Sequence, residues 1–189
     1  MKGNGSLVEG LSMIHSPRSI AVFLWLLPFL AWPGFGRGEE TIFSGAEGSF
    51  LAQINAQTPP GRAASLRLTE EGRQLLENGE YEKALSKLEK AIAIDSRNRY
   101  AYYYLGEAHY LLTEHQQSLN FLEIAETLFA EEPAWLAQVF ALEGKNYEAL
   151  RFFGRADLSY ARALKLDPKN RIALQGLITM HKEPVTPSP

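Results

Sequence analysis

The sequence predicts an all-α protein built from repeated pairs of helices. Residues 65–98 form a 34-residue stretch that reads as two amphipathic helices joined by a short turn. Variants of this stretch recur at residues 99–132 and 137–170. A helix-turn-helix unit that recurs with such a period is typical of a helical repeat protein.

The first 36 residues are predicted to direct export. A slightly positive segment, in which Lys2 and Arg18 outweigh Glu9, precedes an apolar run over residues 20–32. This run of 13 residues is short for a membrane span, which needs about 20, and matches the core of a secretory signal. Residues 1–36 are therefore expected to be a signal peptide. The alternative is an uncleaved signal anchor with a cytoplasmic amino terminus.

Residues 37–64 are predicted to be a flexible linker. Gly, Glu, Ser, Thr, Gln and Pro dominate it, and Gly36 and Gly38 offer the small residues that a signal peptidase requires. An apolar patch at residues 50–54 interrupts this polar composition. We expect the patch to form a helical turn that covers the exposed edge of the first repeat.

The opening repeat shows its two helices clearly. Three leucines define one face of the first helix, and residues 78–80, Asn-Gly-Glu, supply the turn. The second helix carries Ala84, Leu88 and Ala91 on one side, at spacings of four and three. Gly72 on the first helix and the small alanines of the second allow the two axes to approach closely.

One set of residues recurs at matching offsets in the three repeats. The recurring positions are Leu68, Gly72, Leu75, Ala84, Leu88 and Ala91, then Tyr102, Leu105, Gly106, His109, Leu122 and Ala125, then Phe140, Gly144, Tyr147, Ala156, Tyr160, Ala163 and Pro168. This set resembles the tetratricopeptide repeat (TPR) family, whose period is 34 residues. The resemblance implies a right-handed α-solenoid of three helix-turn-helix repeats, over residues 65–182.

The third repeat is in register only after an insertion at residues 133–136. The family glycines lie 34 residues apart between the first two repeats and 38 apart between the last two. We expect the insertion to lengthen a first helix, with Pro133 at its start and Trp135 packing back on the middle repeat. Arg151 stands at a turn position where the family commonly has Gly.

Residues 171–182 are predicted to form a seventh helix that caps the stack. Leu174, Leu177 and Ile178 are expected to face inward, because the last repeat of a solenoid otherwise leaves its apolar face in water. The proline-rich residues 183–189 are predicted to be a disordered tail.

Composition and motifs argue against several classes of function. The formal net charge of -3, with both signs mixed along the repeats, gives no basic footprint for nucleic acid. The sequence has no cysteine, so disulfides and thiolate metal sites are excluded. No two histidines have metal-ligand spacing, and there is no Gly-rich phosphate loop. We predict a non-enzymatic protein with no metal, no cofactor and no nucleic-acid partner, which meets a membrane only if residues 1–36 stay uncleaved.

The resemblance implies that a partner binds in the groove lined by the first helices of the repeats. In the middle repeat, spacings of three, four and three place four such side chains on one stripe. Tyrosine offers a large apolar face and a hydroxyl, which suits an extended peptide or a partner helix. The competing interpretation is that these aromatic residues pack between adjacent repeats. The predicted groove residues are Tyr100, Tyr103, Glu107, Tyr110, Arg73, Thr69, Gln138 and Lys145.

Some members of the family bind the acidic carboxyl terminus of chaperones through a clamp of Lys, Asn and Arg. The matching positions here hold Thr69, Arg73, Tyr104, Gln138 and Leu142, so chaperone-tail binding is not expected. The sequence instead predicts an exported, periplasmic or secreted interaction module that binds a protein or peptide, as a scaffold or assembly factor of an envelope or secreted complex. The alternatives are a membrane-anchored subunit beside a membrane complex, with its repeats outside the cytoplasm, and an enzyme or enzyme subunit.

Overall fold

A computed structural model describes residues 49–182 of the protein. Within this range, three pairs of helices are followed by a single helix. The helices are α1 (Pro60–Glu77), α2 (Tyr81–Ile94), α3 (Arg99–Leu111), α4 (His115–Leu128), α5 (Pro133–Ala149), α6 (Phe153–Leu166) and α7 (Arg171–Lys182). A short 3₁₀ helix at Phe50–Gln53, which we call the Phe50 turn, precedes them. The predicted all-α solenoid of three repeats and a final helix is confirmed.

The predicted export segment and the predicted disordered tail, residues 1–36 and 183–189, lie outside the described residues. Across residues 49–182, none of the helices is both long enough and apolar enough to cross a membrane.

The turn inside each helix pair contains one residue with a positive φ. Gly79 has a φ of 76°, and Thr113 and Arg151 each have a φ of 62°. These residues follow the first helix of each pair, where a left-handed residue lets later N–H groups return to the last helical carbonyls. The Glu114 N–H, for example, donates to the His109 carbonyl at 2.8 Å. The repeat register, including the insertion before the third repeat, is therefore as predicted.

Glycine permits the close approach of the two helices in a pair. A Cβ added to Gly72 would lie 2.6 Å from Leu88 Cγ, and one added to Gly144 would lie 2.4 Å from the ring of Tyr160. Both distances are shorter than a carbon–carbon contact permits, so the neighbouring side chain occupies the space that a larger residue would need. The role predicted for Gly72 is confirmed.

Helix α1 begins earlier than the sequence analysis places it. The predicted linker extended to residue 64, but the helix starts at Pro60, so the carboxyl-terminal boundary of the linker is wrong. Pro60 occupies the first turn of the helix, where a missing N–H costs nothing and the fixed φ of proline is already helical. The prolines before the first repeat therefore start a helix rather than extend the linker.

Helix α5 contains the inserted residues and begins at Pro133, as predicted. Trp135 packs on the middle repeat, also as predicted. Its ring stacks on Phe129 at 5.2 Å and meets Tyr100 edge-on at 5.1 Å. The longer helix thus brings a large aromatic side chain onto the neighbouring repeat.

Helix α7 caps the last pair with a face other than the predicted one. Leu174 is 40% exposed and Ile178 is 57% exposed, whereas Leu177 is half-buried. The inward orientation predicted for Leu174 and Ile178 is therefore wrong. The helix packs through its small residues, because a Cβ on Gly176 would already lie 2.3 Å from the ring of Tyr160.

Candidate functional site

The first helices of the three pairs, α1, α3 and α5, line one face of the stack, which we call the concave face. The Phe50 turn packs on α1 and extends the Phe50 side chain over α3 and α5. Its first residue contacts Glu70 of α1, Tyr100 and Tyr104 of α3, and Trp135 of α5. A single residue from outside the repeats therefore touches all three helices that form the groove.

The Phe50 side chain fills an aromatic socket, which we define as Tyr100, Tyr104 and Trp135. The ring centroid of Phe50 lies 4.7 Å from that of Tyr100, 5.8 Å from that of Tyr104 and 6.3 Å from that of Trp135. Only 2% of Phe50 is exposed. The predicted helical turn thus forms against α1 of the first repeat, and its Phe50 side chain reaches over α3 and α5.

Glu70 supplies the polar contact beside this socket. The Phe50 N–H donates to Glu70 Oε2 at 3.2 Å, while Arg73 Nη2 and Gln74 Nε2 donate to Oε1 at 2.7 Å and 3.1 Å. Burial alone would raise the pKa of Glu70, but the hydrogen bonds from Arg73 and the Phe50 N–H outweigh it and lower that pKa. The carboxylate is therefore charged and fixed in place at neutral pH.

Tyr100 and Tyr103, two predicted groove residues, are buried. Tyr100 is 6% exposed beneath Phe50, and Tyr103 is fully covered. The Tyr103 ring meets the rings of Tyr104 and Trp135 edge-on at 5.2 Å and 5.5 Å. Both tyrosines are therefore covered, as in the competing interpretation that they pack between adjacent repeats, and the covering residues Phe50 and Trp135 come from outside the 34-residue pattern.

Thr69 is also buried. Its hydroxyl donates to the Ser65 carbonyl at 2.9 Å and accepts a hydrogen bond from Asn98 Nδ2 at 2.8 Å. Asn98 is the N-cap residue of α3 and also donates to Ser65 Oγ at 2.7 Å. Thr69 therefore joins the first repeat to the second, and its prediction as an exposed groove residue is wrong.

Glu107 is buried as well, with 5% of its surface exposed. Burial raises the pKa of Glu107 to about 7, against the opposing effect of Lys145 and Arg73. Its prediction as an open contact residue is wrong, since α1 and α5 close over this part of α3. The carboxyl instead lies between two cations of the concave face and titrates near neutral pH.

The other predicted groove residues are half-buried and remain candidates for partner contact. We call Arg73, Tyr110, Gln138 and Lys145 the open half of the groove. Lys145 Nζ lies over the Tyr110 ring, 4.8 Å from its centroid. Arg73 forms ion pairs with Glu70 and Glu77. This half offers an aromatic surface with mixed charge, next to a socket that Phe50 already fills.

No arrangement for metal chemistry accompanies these residues. Over residues 49–182, no three His, Asp or Glu side chains lie close enough together to hold a metal ion. The concave face presents aromatic rings, a fixed carboxylate and two cations.

Sequence reasoning missed four groove residues, namely Phe50, Glu70, Tyr104 and Trp135. Two of them left a signal in the sequence. Phe50 heads the apolar patch inside a polar linker, and Trp135 lies in the insertion that breaks the repeat period. Both residues lie where the sequence departs from the repeat pattern, and both contact the helices that form the groove.

Comparison with known proteins agrees with the fold. A family model described as TPR repeat matches residues 72–112. The Arabidopsis OM64 TPR domain is similar, with a TM-score of 0.60 and 21% identity over 65% of this chain and 98% of that one. The fold is that of a tetratricopeptide repeat domain. No curated protein sequence matches the chain.

Two further solved TPR domains are similar and hold peptides. The first TPR of Spaghetti (RPAP3), bound to the HSP90 peptide SRMEEVD, has a TM-score of 0.57 and 22% identity, over 62% of this chain and 90% of that one. The second TPR domain of human RPAP3, in complex with the HSP70 peptide SGPTIEEVD, has a TM-score of 0.58 and 20% identity, over 65% of this chain and 99% of that one. At these identities the similarity establishes the TPR fold of this chain.

Proposed function

We propose that this TPR domain is a non-enzymatic interaction module whose concave face binds a peptide or a segment of a partner protein. The observation that carries the proposal is the Phe50 turn. The concave face already holds one short chain segment, through an aromatic side chain in the socket and a backbone N–H on Glu70. The peptides held by the similar RPAP3 domains support a ligand of the same kind.

The groove chemistry favours a ligand other than an acidic chaperone tail. Three of the five positions that match the family's clamp, Thr69, Tyr104 and Leu142, are buried and carry no charge. Arg73 is paired with two carboxylates. We therefore propose a partner segment that presents apolar and aromatic side chains, with polar contacts at Tyr110 and Lys145.

Site-specific photo-crosslinking tests this function. A photoreactive residue at Tyr110 on the concave face is compared with one at Glu123, which is exposed on α4. We expect a defined partner to crosslink at Tyr110 and not at Glu123, in cells that produce the full chain. Equal crosslinking at both positions, or crosslinking at Glu123 alone, contradicts the proposal.

We also propose that the domain acts outside the cytoplasm, as a scaffold or assembly factor of an envelope or secreted complex. The proposal rests on the charged head and apolar run in residues 1–36. Mass analysis of the mature chain tests it, since cleavage predicts a start near Arg37 or Glu39. A chain that keeps Met1 and fractionates with membranes favours the anchored alternative, and one that stays in the cytoplasm contradicts both.

A further inference from the structure

Phe50 is the one buried side chain of the Phe50 turn, and its backbone N–H also donates to Glu70. Phe50 is 2% exposed, whereas its neighbour Leu51 is 45% exposed. Ala52 and Gln53 are exposed as well. The turn is therefore anchored as a short bound peptide is anchored, by a single buried aromatic residue.

The carboxylate that receives the Phe50 N–H is positioned independently of Phe50. Arg73 and Gln74 both donate to Glu70 Oε1, which leaves Oε2 as the atom that accepts the Phe50 N–H. Every residue except proline carries such an N–H. Glu70 therefore recognises the main chain of whatever segment lies here, and the socket recognises its side chain.

The socket contains one polar group that Phe50 leaves unsatisfied. The Tyr104 hydroxyl is buried and has no hydrogen-bond partner among the described residues. A buried hydroxyl without a partner destabilises the state that contains it. The Phe50 side chain has no polar atom, so it cannot satisfy this hydroxyl.

A short tether keeps the Phe50 turn near the groove. Residues 54–59 alone separate it from α1, and they are folded into a turn of their own. The Asn55 N–H donates to Thr58 Oγ1 at 3.0 Å, and the Ile54 N–H donates to the Leu51 carbonyl at 3.1 Å. A tether of this length sets an effective concentration of roughly millimolar order, against which a free ligand must compete.

We propose that the Phe50 turn is an internal ligand of the concave face, which a partner segment displaces by placing its own aromatic side chain in the socket and its own backbone N–H on Glu70. The inference rests on the proposed function, because it specifies how the same face accepts its partner. The ligand class is a peptide segment anchored by an aromatic residue. Binding of the partner segment and release of the Phe50 turn then occur together, as one exchange.

A peptide competition measurement tests the exchange. The probe is a fluorescein-labelled peptide with the sequence of residues 47–54, EGSFLAQI, titrated into the full-length chain and followed by fluorescence anisotropy. Phe50→Ala empties the socket, and Leu51→Ala is the matched control because Leu51 is 45% exposed. We expect Phe50→Ala to bind the peptide at least about tenfold more tightly than the wild type or Leu51→Ala.

The same titration includes the peptide with alanine in place of its phenylalanine, which we expect not to bind. Equal affinity of the wild type and Phe50→Ala overturns the proposal. So does the absence of peptide binding to a Phe50→Ala chain whose helical circular dichroism and cooperative melting match those of the wild type.

Native-state hydrogen exchange of the unmodified full chain provides a second measurement, which does not depend on the folding of Phe50→Ala. If the turn leaves the groove while the helices stay folded, the Phe50 amide exchanges by local opening. We expect its exchange to be at least about a hundredfold faster than that of the Tyr103 amide in α3. Exchange of both amides at the same rate, through global unfolding, overturns the proposal.

Failure of this inference can be distinguished from failure of the proposed function. A partner that crosslinks at Tyr110 yet binds the wild type and Phe50→Ala equally well leaves the interaction module intact and overturns the internal-ligand role. The peptide titration requires no native partner, so it measures the exchange even if no crosslink forms at Tyr110.

Discussion

At the scale of single residues, two buried carboxyls link stability to pH. Glu107 on α3 faces Lys145 of α5 and both Arg73 and Glu77 of α1. Glu143 on α5 faces Glu123 and Glu126 of α4, and Arg162 and Ser159 of α6. Burial raises the pKa of each carboxyl to about 7.

We predict that the free energy of unfolding falls as pH rises from 5 to 8. In the folded chain each carboxyl keeps its proton up to a pKa of about 7, whereas its ordinary value is 4.5. This stabilisation is fully present below the ordinary pKa of 4.5 and is lost as pH rises through the folded-state pKa of about 7. The loss is up to about 3 kcal/mol for each carboxyl. Urea unfolding at a series of pH values measures it.

Single substitutions show which carboxyl causes the fall in the free energy of unfolding as pH rises. Glu107→Gln and Glu143→Gln each keep the shape of the side chain without its ionisation, and each is expected to remove about half of the decrease in stability. Glu89→Gln is the control, because Glu89 is exposed on α2 and is not one of the charged groups that face Glu107 or Glu143. A slope that persists unchanged in both buried variants contradicts the prediction.

Thr113 carries local backbone strain. It has a φ of 62°, which a β-branched residue adopts only at a cost. We predict that Thr113→Gly stabilises the domain by about 0.5–1 kcal/mol in urea unfolding, because glycine adopts this conformation freely. Gly79→Ala, at the equivalent turn, is expected to destabilise the domain by a similar amount. A Thr113→Gly chain that is less stable than the wild type argues against strain at this turn.

At the scale of elements, helix α5 connects the core to the groove. Its insertion places Trp135 against Tyr100 and Phe129 on one side and against Phe50 on the other. The same ring therefore stabilises the middle repeat and forms one wall of the socket.

We predict that Trp135→Ala lowers the free energy of unfolding by about 2–4 kcal/mol, because its half-buried ring packs against Tyr100 and Phe129. It should also speed hydrogen exchange at the Phe50 amide. Phe152→Ala is the matched control, since Phe152 is an aromatic residue that is 53% exposed, and its cost is expected to stay within about 0.5 kcal/mol. Chemical denaturation measures the free energy of unfolding of both variants. Equal losses in the two variants would contradict the prediction that Trp135 stabilises the domain more than an exposed aromatic residue does.

The elements were largely predictable from the sequence because their causes are local. Helix periodicity and the Asn-Gly-Glu turn predicted the first pair, and Pro133 predicted the start of α5. The inward face of α7 was not predictable, because it depends on the ring of Tyr160, which leaves room only for small residues such as Gly176. Hydrophobic periodicity predicts that the most apolar face of a helix is buried. In α7 the buried face is instead the one whose small residues fit against the ring of Tyr160.

The groove was predictable only in part, for a related reason. The repeat pattern placed Tyr110 and Lys145 on the concave face, where the structure also places them. It could not show that Phe50 and Trp135 cover Tyr100 and Tyr103, because both covering residues lie outside the pattern. These are contacts between residues far apart in the sequence, and the local spacing of residues does not predict them.

At the scale of the whole molecule, the concave face has a closed aromatic socket beside a polar open half. This division differs from a groove that is charged along its whole length. It predicts selectivity for a segment with an aromatic anchor, followed by contacts with Tyr110 and Lys145.

We predict that the acidic peptide SRMEEVD, which the similar RPAP3 domain holds, does not bind this chain with a dissociation constant below about 1 mM. Thr69, Tyr104 and Leu142 provide no charge for its carboxylates. Fluorescence anisotropy with the wild type and with Phe50→Ala measures the affinity, and submillimolar binding to either chain would contradict the prediction.

The affinity of the full chain for the partner that crosslinks at Tyr110 tests the central claim most directly. The variant is Tyr110→Ala combined with Lys145→Ala, and its control is Lys90→Ala combined with Glu123→Ala, two exposed positions on α2 and α4. If the concave face is the binding surface, calorimetric titration will show a loss of at least about tenfold for the first variant and none for the control. Unchanged affinity in the first variant, with both chains folded, would contradict the assignment of the concave face as the partner-binding surface.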